Sequence, residues 1–299
     1  MPRAMRGAAA LALTSATLAA ASCGGGGSAS SSGQIRAAQA RLLPRRIIRA
    51  PKYIVSAAQP QSNGIIWALA GNKSAGLYEI DPASDRVTGS MSVSGAARSL
   101  AESSPGILGL ALGTKTSGAL ELLDGRTSKP IRTVPLAAPA RYVTVGSDGT
   151  TFYVLAGWAR SASVTLVDSQ NGKVRGVVAV PADTVSVAPD IQQTDLYVLE
   201  RDGPISEISI SGGTPPSRFS IGHDRGRSLA LSPDGSTLYV LKGTDAVASI
   251  SVVNVATQSV RRVLPAPSHC RQVMVSASGN QLYEVAGARR YGNIQIFAV

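Results

Sequence analysis

Six segments of this 299-residue chain start at nearly even intervals, at Lys52, Arg98, Arg141, Asp183, Arg227 and Arg271, spaced 46, 43, 42, 44 and 44 residues apart. Each opens with a short alternating run such as Arg141-Tyr142-Val143-Thr144-Val145 and passes through a turn rich in Gly, Asp, Ser or Pro. A second run then follows, such as Phe152 to Leu155 or Leu238 to Leu241. Strict alternation over so few residues is the signature of half-buried strands and is too short for amphipathic helices. Third and fourth runs complete the unit, as in Val164 to Val167 followed by Val174 to Val180, or Ile250 to Val253 followed by Val260 to Leu264. Four strands and their turns make one propeller blade, so the repeat predicts an all-β, six-bladed β-propeller with four strands per blade.

The arithmetic leaves one strand over. The last unit ends at Val299 after its third run, Ile294 to Phe297, whereas Arg45 to Arg49 precedes the first unit and is similar to Arg261-Arg262-Val263-Leu264. The N-terminal segment is therefore expected to supply the outer strand of the final blade and close the ring, leaving no open sheet edge. The alternative is a linear solenoid with separate caps. A hydrophobic content of 44% supports a packed core and excludes disorder for most of the chain. Two cysteines make no disulfide framework, and two histidines make no His-rich metal site, so neither a metal nor a cofactor is expected.

Residues 1–22 have the order of a bacterial signal peptide: Arg3 and Arg6, then an alanine-rich apolar run shorter than the roughly 20 residues that span a bilayer. The small residues before Cys23 resemble a lipobox, although Ala20 stands where that motif prefers Leu. The resemblance implies that Cys23 becomes the lipidated first residue, with secretion after Ala19-Ala20-Ala21 as the alternative. Residues 23–44 read as the lipidated cysteine and a flexible Gly/Ser tether, and residues 45–299 as the propeller. The expected location is the cell envelope, with the chain monomeric and anchored to a membrane. Of the formal net charge of +11, seven arginines precede residue 52, and the remainder carries 22 basic and 18 acidic residues. The excess of positive charge is thus partly a property of the tether, where it suits anionic lipid.

The run Ser232-Pro233-Asp234-Gly235-x-x-Leu238-Tyr239-Val240, followed by Ser249-Ile250-Ser251-Val252-Val253-Asn254, resembles the YVTN-type β-propeller repeat, related to lactonase-like and NHL propellers. The resemblance spans residues 45–299 and is weakest in the second unit. It implies that the first strand of each unit lines the central channel. It implies little about activity, because one fold carries many functions.

Strand direction then sorts the charges onto two faces. Turns between strands one and two and between three and four gather aspartates such as Asp148, Asp190 and Asp234 in contexts where the carboxylate accepts local backbone hydrogen bonds, so they read as structural. The other face is basic. There Lys52, Arg98, Arg141, Asp183, Arg227 and Arg271 are expected at equivalent positions before the inner strand, five cations and one anion around one mouth of the channel. Converging like charges focus potential, and arginine suits bidentate contact with carboxylate or phosphate. The opposing reading has these side chains fanning outward to loop acids such as Glu200 or Asp224.

His223 and His269 lie at the same mouth, and Tyr142, Trp158 and Tyr291 are candidate stacking surfaces there. Cys270 follows His269 directly, and neighbouring strand residues point to opposite sides, so a Cys/His nucleophile is disfavoured. The expected function is a binding module for an anionic small molecule, a glycan or a partner protein at the basic mouth, with no nucleic acid involved. The alternative is a lactonase-like hydrolase or lyase in the channel, for which Asp183 and Glu102 are the main carboxylates.

Overall fold

A computed structural model describes residues 44–50, 53–58, 64–71, 75–104, 106–158, 161–213, 215–288 and 291–299. Residues 1–22, Cys23, the tether up to residue 43 and Lys52 lie outside the described residues. The described residues form 24 strands in six four-stranded antiparallel sheets, and among them no helix is long and apolar enough to cross a membrane. Blade one contains β2 (Ile54–Ala57), β3 (Ile66–Ala70), β4 (Gly76–Asp81) and β5 (Arg86–Ser92). Blade two is β6 (Ala97–Glu102), β7 (Ile107–Gly113), β8 (Gly118–Asp124) and β9 (Pro130–Leu136), and blade three is β10 (Ala140–Val145), β11 (Thr151–Trp158), β12 (Ser161–Asp168) and β13 (Val174–Val180). Blade four comprises β14 (Thr184–Pro189), β15 (Asp195–Glu200), β16 (Ile205–Ser209) and the short β17 (Ser217–Phe219). Blade five comprises β18 (Gly226–Leu231), β19 (Thr237–Gly243), β20 (Ala248–Asn254) and β21 (Ser259–Ala266).

Blade six takes its inner three strands, β22 (Cys270–Val275), β23 (Gln281–Ala288) and β24 (Tyr291–Ala298), from the C-terminus, and its outer strand is β1 (Arg46–Ala50). β1 pairs antiparallel with β24 from Arg46 opposite Ile296 to Ala50 opposite Gly292. The expected closure by an N-terminal strand is therefore present. A solenoid would have five interfaces between six units; this chain has six apolar clusters, one between each pair of neighbours. The sixth joins blade six to blade one through Ile48, Met274, Tyr283 and Ile294 against Ile54, Ile66 and Ile80.

The turns carry the local chemistry that the aspartates suggested. Asp148 accepts from the Thr150 amide at 2.8 Å and Asp124 from the Thr127 amide at 2.7 Å, while Asp234 accepts from the Ser236 amide at 3.0 Å. Burial, strongest for Asp148, pulls the three carboxyls up, but these bonds, with that of the Ser232 hydroxyl to Asp234, outweigh it and hold all three below their ordinary range.

One register feature recurs in every blade. The pairing of strand one with strand two slips by a residue at the same place, leaving a bulge residue without a ladder partner: Val55, Arg98, Arg141, Val185, Arg227 and Arg271. This corrects the ring expected from sequence. Four arginines share the register as expected, but Val55 and Val185, and not Lys52 and Asp183, hold the remaining two positions. Counting from the nearest charged residue placed those two units three and two residues early.

Candidate functional site

Immediately after each bulge, the next inner-strand residue reaches across to the following blade. The Ser56 hydroxyl accepts from the Leu100 amide at 3.2 Å, Ser99 from Val143 at 3.2 Å, Ser186 from Leu229 at 3.2 Å and Ser228 from Val273 at 3.3 Å. In blade three the equivalent residue is Tyr142, whose hydroxyl hydrogen-bonds Ser186 and Thr144. In blade six it is Gln272, whose Oε1 accepts from the Ala57 amide at 2.8 Å while its Nε2 donates to the Ala57 carbonyl at 3.0 Å. The result is a belt in which each blade holds the next. Its serines are at most 3% exposed, so solvent does not reach them. The belt separates two unlike ends of the channel.

At the N-terminal ends of the inner strands lie the four arginines, held in two ways. Arg98 and Arg271 donate through Nε to carbonyls of their own second strands, Gly113 and Gly287, each at 3.2 Å. Arg141 and Arg227 donate through Nη1 to the next blade, to the Thr184 carbonyl at 2.8 Å and the Cys270 carbonyl at 2.6 Å. Glu200 and Asp224 do not reach them: Glu200 pairs with Arg218 at 2.5 Å and Asp224 with Lys242 at 3.2 Å. The acid that meets Arg227 and Arg271 is Asp245, which binds Arg227 and lies 3.7 Å from His269 Nδ1 and 3.9 Å from Arg271. Arg227, by hydrogen bond and charge, holds the Asp245 carboxyl below its ordinary range. The sector of blades five and six is thereby largely neutralised.

The sector of blades two and three is different. The Arg141 guanidinium stacks on Trp158, 4.5 Å from the ring centroid, and its Nε and Nη2 are buried without a hydrogen-bond partner. Burial, followed by the nearby Arg201 charge, lowers its pKa to about 10, with Asp183 opposing. Arg98 is exposed beside it in the ring. Guanidinium donors with no acceptor, backed by an aromatic face and a second cation, form a place for an anion.

Of the other sequence candidates, His223 is exposed in the β17–β18 connection, and His269 sits in the left-handed region with φ of 59°. Cys270 points into the core between blades five and six, fully buried, and burial pushes its thiol well up. Its neighbour His269 turns instead to Asp245, so the two do not cooperate. Tyr291 is exposed, and Arg271 stacks on Tyr53 at 4.8 Å. Among the described residues no group of three His, Cys, Asp or Glu side chains could hold a metal ion.

At the opposite end, beyond the belt, a cavity of about 270 Å³ is lined by inner-strand residues of all six blades, with Tyr142 and Gln272 of the belt reaching it. Glu102 is its one charged side chain among the described residues. The sequence pattern pointed to Glu102 only as a carboxylate for the hydrolase or lyase alternative and passed over Glu284, a second buried carboxyl in β23. Both would have stood out had the strands been stacked by register. Glu102 occupies the place of Val145, Pro189, Leu231 and Val275, and Glu284 that of Leu110, Val154, Val198 and Val240.

No protein-family model matches the sequence, and no curated relative matches it. Among solved structures the chain is similar to hydrazine synthase from Kuenenia stuttgartiensis, with a TM-score of 0.64 and 13% identity over 82% of this chain and 83% of that one. The likeness concerns the propeller fold alone.

Proposed function

We propose that this propeller is an exported binding module, anchored to a membrane through lipidated Cys23, which takes an anionic envelope component or partner protein at its arginine mouth. The fold suits such a role, since a closed ring of blades offers a rigid mouth on which loops and side chains are fixed. The observation that carries the reading is Arg141, stacked on Trp158 with Nε and Nη2 buried and unpartnered, beside Arg98 and Arg201. A carboxylate or phosphate there would meet donors already desolvated, and charged contacts of this kind are typically worth about 2 kcal/mol or more. His223, His269 and Asp183 flank this mouth as secondary contacts, and Lys52 belongs to the same proposal through its place just before β2.

Calorimetric titration with polycarboxylates, phosphorylated glycans and acidic envelope polymers, at low and moderate salt, tests the reading. Arg141→Ala is expected to weaken anion binding by about tenfold or more while changing the melting temperature little. Arg227→Ala should weaken it less, because Asp245 already neutralises that guanidinium. Absence of anion binding by the wild type, or indifference to Arg141→Ala, removes the arginine mouth from consideration.

The anchoring part is tested separately. The protein should partition into membrane and detergent phases, and Cys23→Ala should release it to the aqueous phase. Equal membrane retention of that variant would sink the lipid anchor while leaving the mouth untouched.

A further inference from the structure

The geometry points to a single carboxylate group as the ligand of the arginine mouth, held in the plane of the Arg141 guanidinium by its Nε and Nη2 edge, with Trp158 against it. This inference rests on the reading of that mouth as an anion site and narrows it from anions in general to monocarboxylates.

The way the guanidinium is held decides which donors a ligand can use. Its Nη1 donates to the Thr184 carbonyl at 2.8 Å, and the indole of Trp158 lies over one face at 4.5 Å from the ring centroid. Nε and Nη2 remain, both buried and neither with a hydrogen-bond partner. These two nitrogens share one edge of the plane and direct their hydrogens in parallel, a fork that a carboxylate meets with both oxygens at once. The other ring arginines do not offer it. Arg98 and Arg271 each give Nε to a carbonyl of their own blade, and Arg227 gives Nη1 to the Cys270 carbonyl and Nη2 to Asp245.

Charge and shape then separate a carboxylate from a phosphate. The charges acting on Arg141 are Arg201 and, in opposition, Asp183, so the three groups together carry a surplus of one positive charge. A monocarboxylate balances that surplus, whereas the dianion of a phosphate monoester exceeds it. A phosphate would also bring a third oxygen to an edge with two donors, close to the Thr184 carbonyl, which can only accept. A charged oxygen left desolvated without a donor is costly. A carboxylate is flat and continues the guanidinium plane alongside the indole, while a tetrahedral phosphate does not.

Exposure indicates how the edge is reached. Since Nε and Nη2 are closed to solvent, a ligand enters as a neighbouring side chain gives way, and the one with least packing to lose is Trp158, 54% exposed at the end of β11. Occupancy should therefore move this indole. The other tryptophan, Trp67, is 5% exposed in the apolar cluster between blades one and two, so a change in emission on binding reports on Trp158.

The probes are cyclohexanecarboxylate, cyclohexyl phosphate and the neutral cyclohexanecarboxamide, titrated into the full chain at neutral pH and moderate salt by calorimetry and tryptophan fluorescence. The carboxylate should bind at least about tenfold more tightly than the phosphate, with a saturable change in emission, and the amide should not bind. Arg141→Lys keeps the charge and loses the fork, so it should weaken carboxylate binding about tenfold and bring the two anions level. Trp158→Phe should retain the preference and abolish the emission change. Phosphate binding as tight as that of the carboxylate overturns the assignment of a carboxylate and leaves the anion mouth standing, whereas binding of neither anion removes both. A preference that survives Arg141→Lys also overturns the assignment, because the fork then does not read the ligand. The wild-type ratio and its emission change decide the matter even if a variant fails to fold.

Discussion

Removal of residues 1–50 is expected to lower the melting temperature by roughly 10–20 °C or to leave the protein aggregated, whereas removal of residues 1–33 should change neither. The longer deletion takes away β1 and, with it, Ile48, which is 1% exposed between blades six and one. Burying such a side chain stabilises by about 2–3 kcal/mol, and the ladder to β24 adds about 1 kcal/mol net for each bond. The sum, on the order of 5 kcal/mol, is a large fraction of what a domain has in hand. The deletion also bares the edge of β24, an eight-residue strand that would template pairing with other chains. The shorter deletion ends with the Gly/Ser run at Gly33 and leaves β1 in place. Differential scanning calorimetry with light scattering distinguishes the two. Indistinguishable melting of the truncations would show that the outer strand contributes nothing to the ring.

Glu284→Gln is expected to raise the melting temperature most at alkaline pH, by roughly 10 °C at pH 9, and to flatten its decline with pH. Glu284 is 2% exposed between blades five and six, its Oε2 has no hydrogen-bond partner, and burial pushes its pKa up to about 8. Its unfolded value lies near the ordinary 4.5. Between these two values the native state keeps a proton that the unfolded state releases. Stability is therefore greatest below about pH 4.5 and falls as the pH rises through about 8, with a full penalty of a few kcal/mol. The amide cannot ionise and should remove most of that slope. Glu102 also retains its proton longer than usual, so the wild type keeps a second, smaller slope below about pH 7. Melts of both proteins from pH 5 to 9 provide the check, and parallel curves would mean that Glu284 ionises freely in the fold.

The architecture was legible because period, turn chemistry and strand alternation all report on the backbone. Arg45 to Arg49 could be assigned to blade six because a ring of four-stranded units that lacks one strand at the end must find it at the beginning. The site was legible only in part. Arg98, Arg141, Arg227 and Arg271 share a register, yet what each guanidinium touches depends on how a bulge aims its side chain, and a pattern of letters does not carry that. Hence Asp245, from the loop between β19 and β20, is the acid that neutralises Arg227 and Arg271, while Glu200 and Asp224 pair with Arg218 and Lys242. Valines at positions 55 and 185 hid the true phase of two units, because a charge at Lys52 or Asp183 is a more conspicuous landmark than an apolar residue inside an apolar run.

The belt around the channel has a direction, each blade gripping the one that follows, and its links are unequal in strength. Three of them are single bonds from a backbone amide to a serine hydroxyl, Ser56 meets the Ser99 hydroxyl at 3.4 Å as well as the Leu100 amide, and the Tyr142 link meets the hydroxyl of Ser186. The link from blade six to blade one is the two-point amide clamp of Gln272 on Ala57. The chain also runs on there, from β1 through residues 51–53 into β2, so its two ends meet inside blade six, where the ladder of β1 with β24 holds them together. A circularly permuted chain, reopened between β13 and β14 with its present ends joined, would exchange a seam inside one sheet for a seam between two blades, where the belt's link is the phenol of Tyr142.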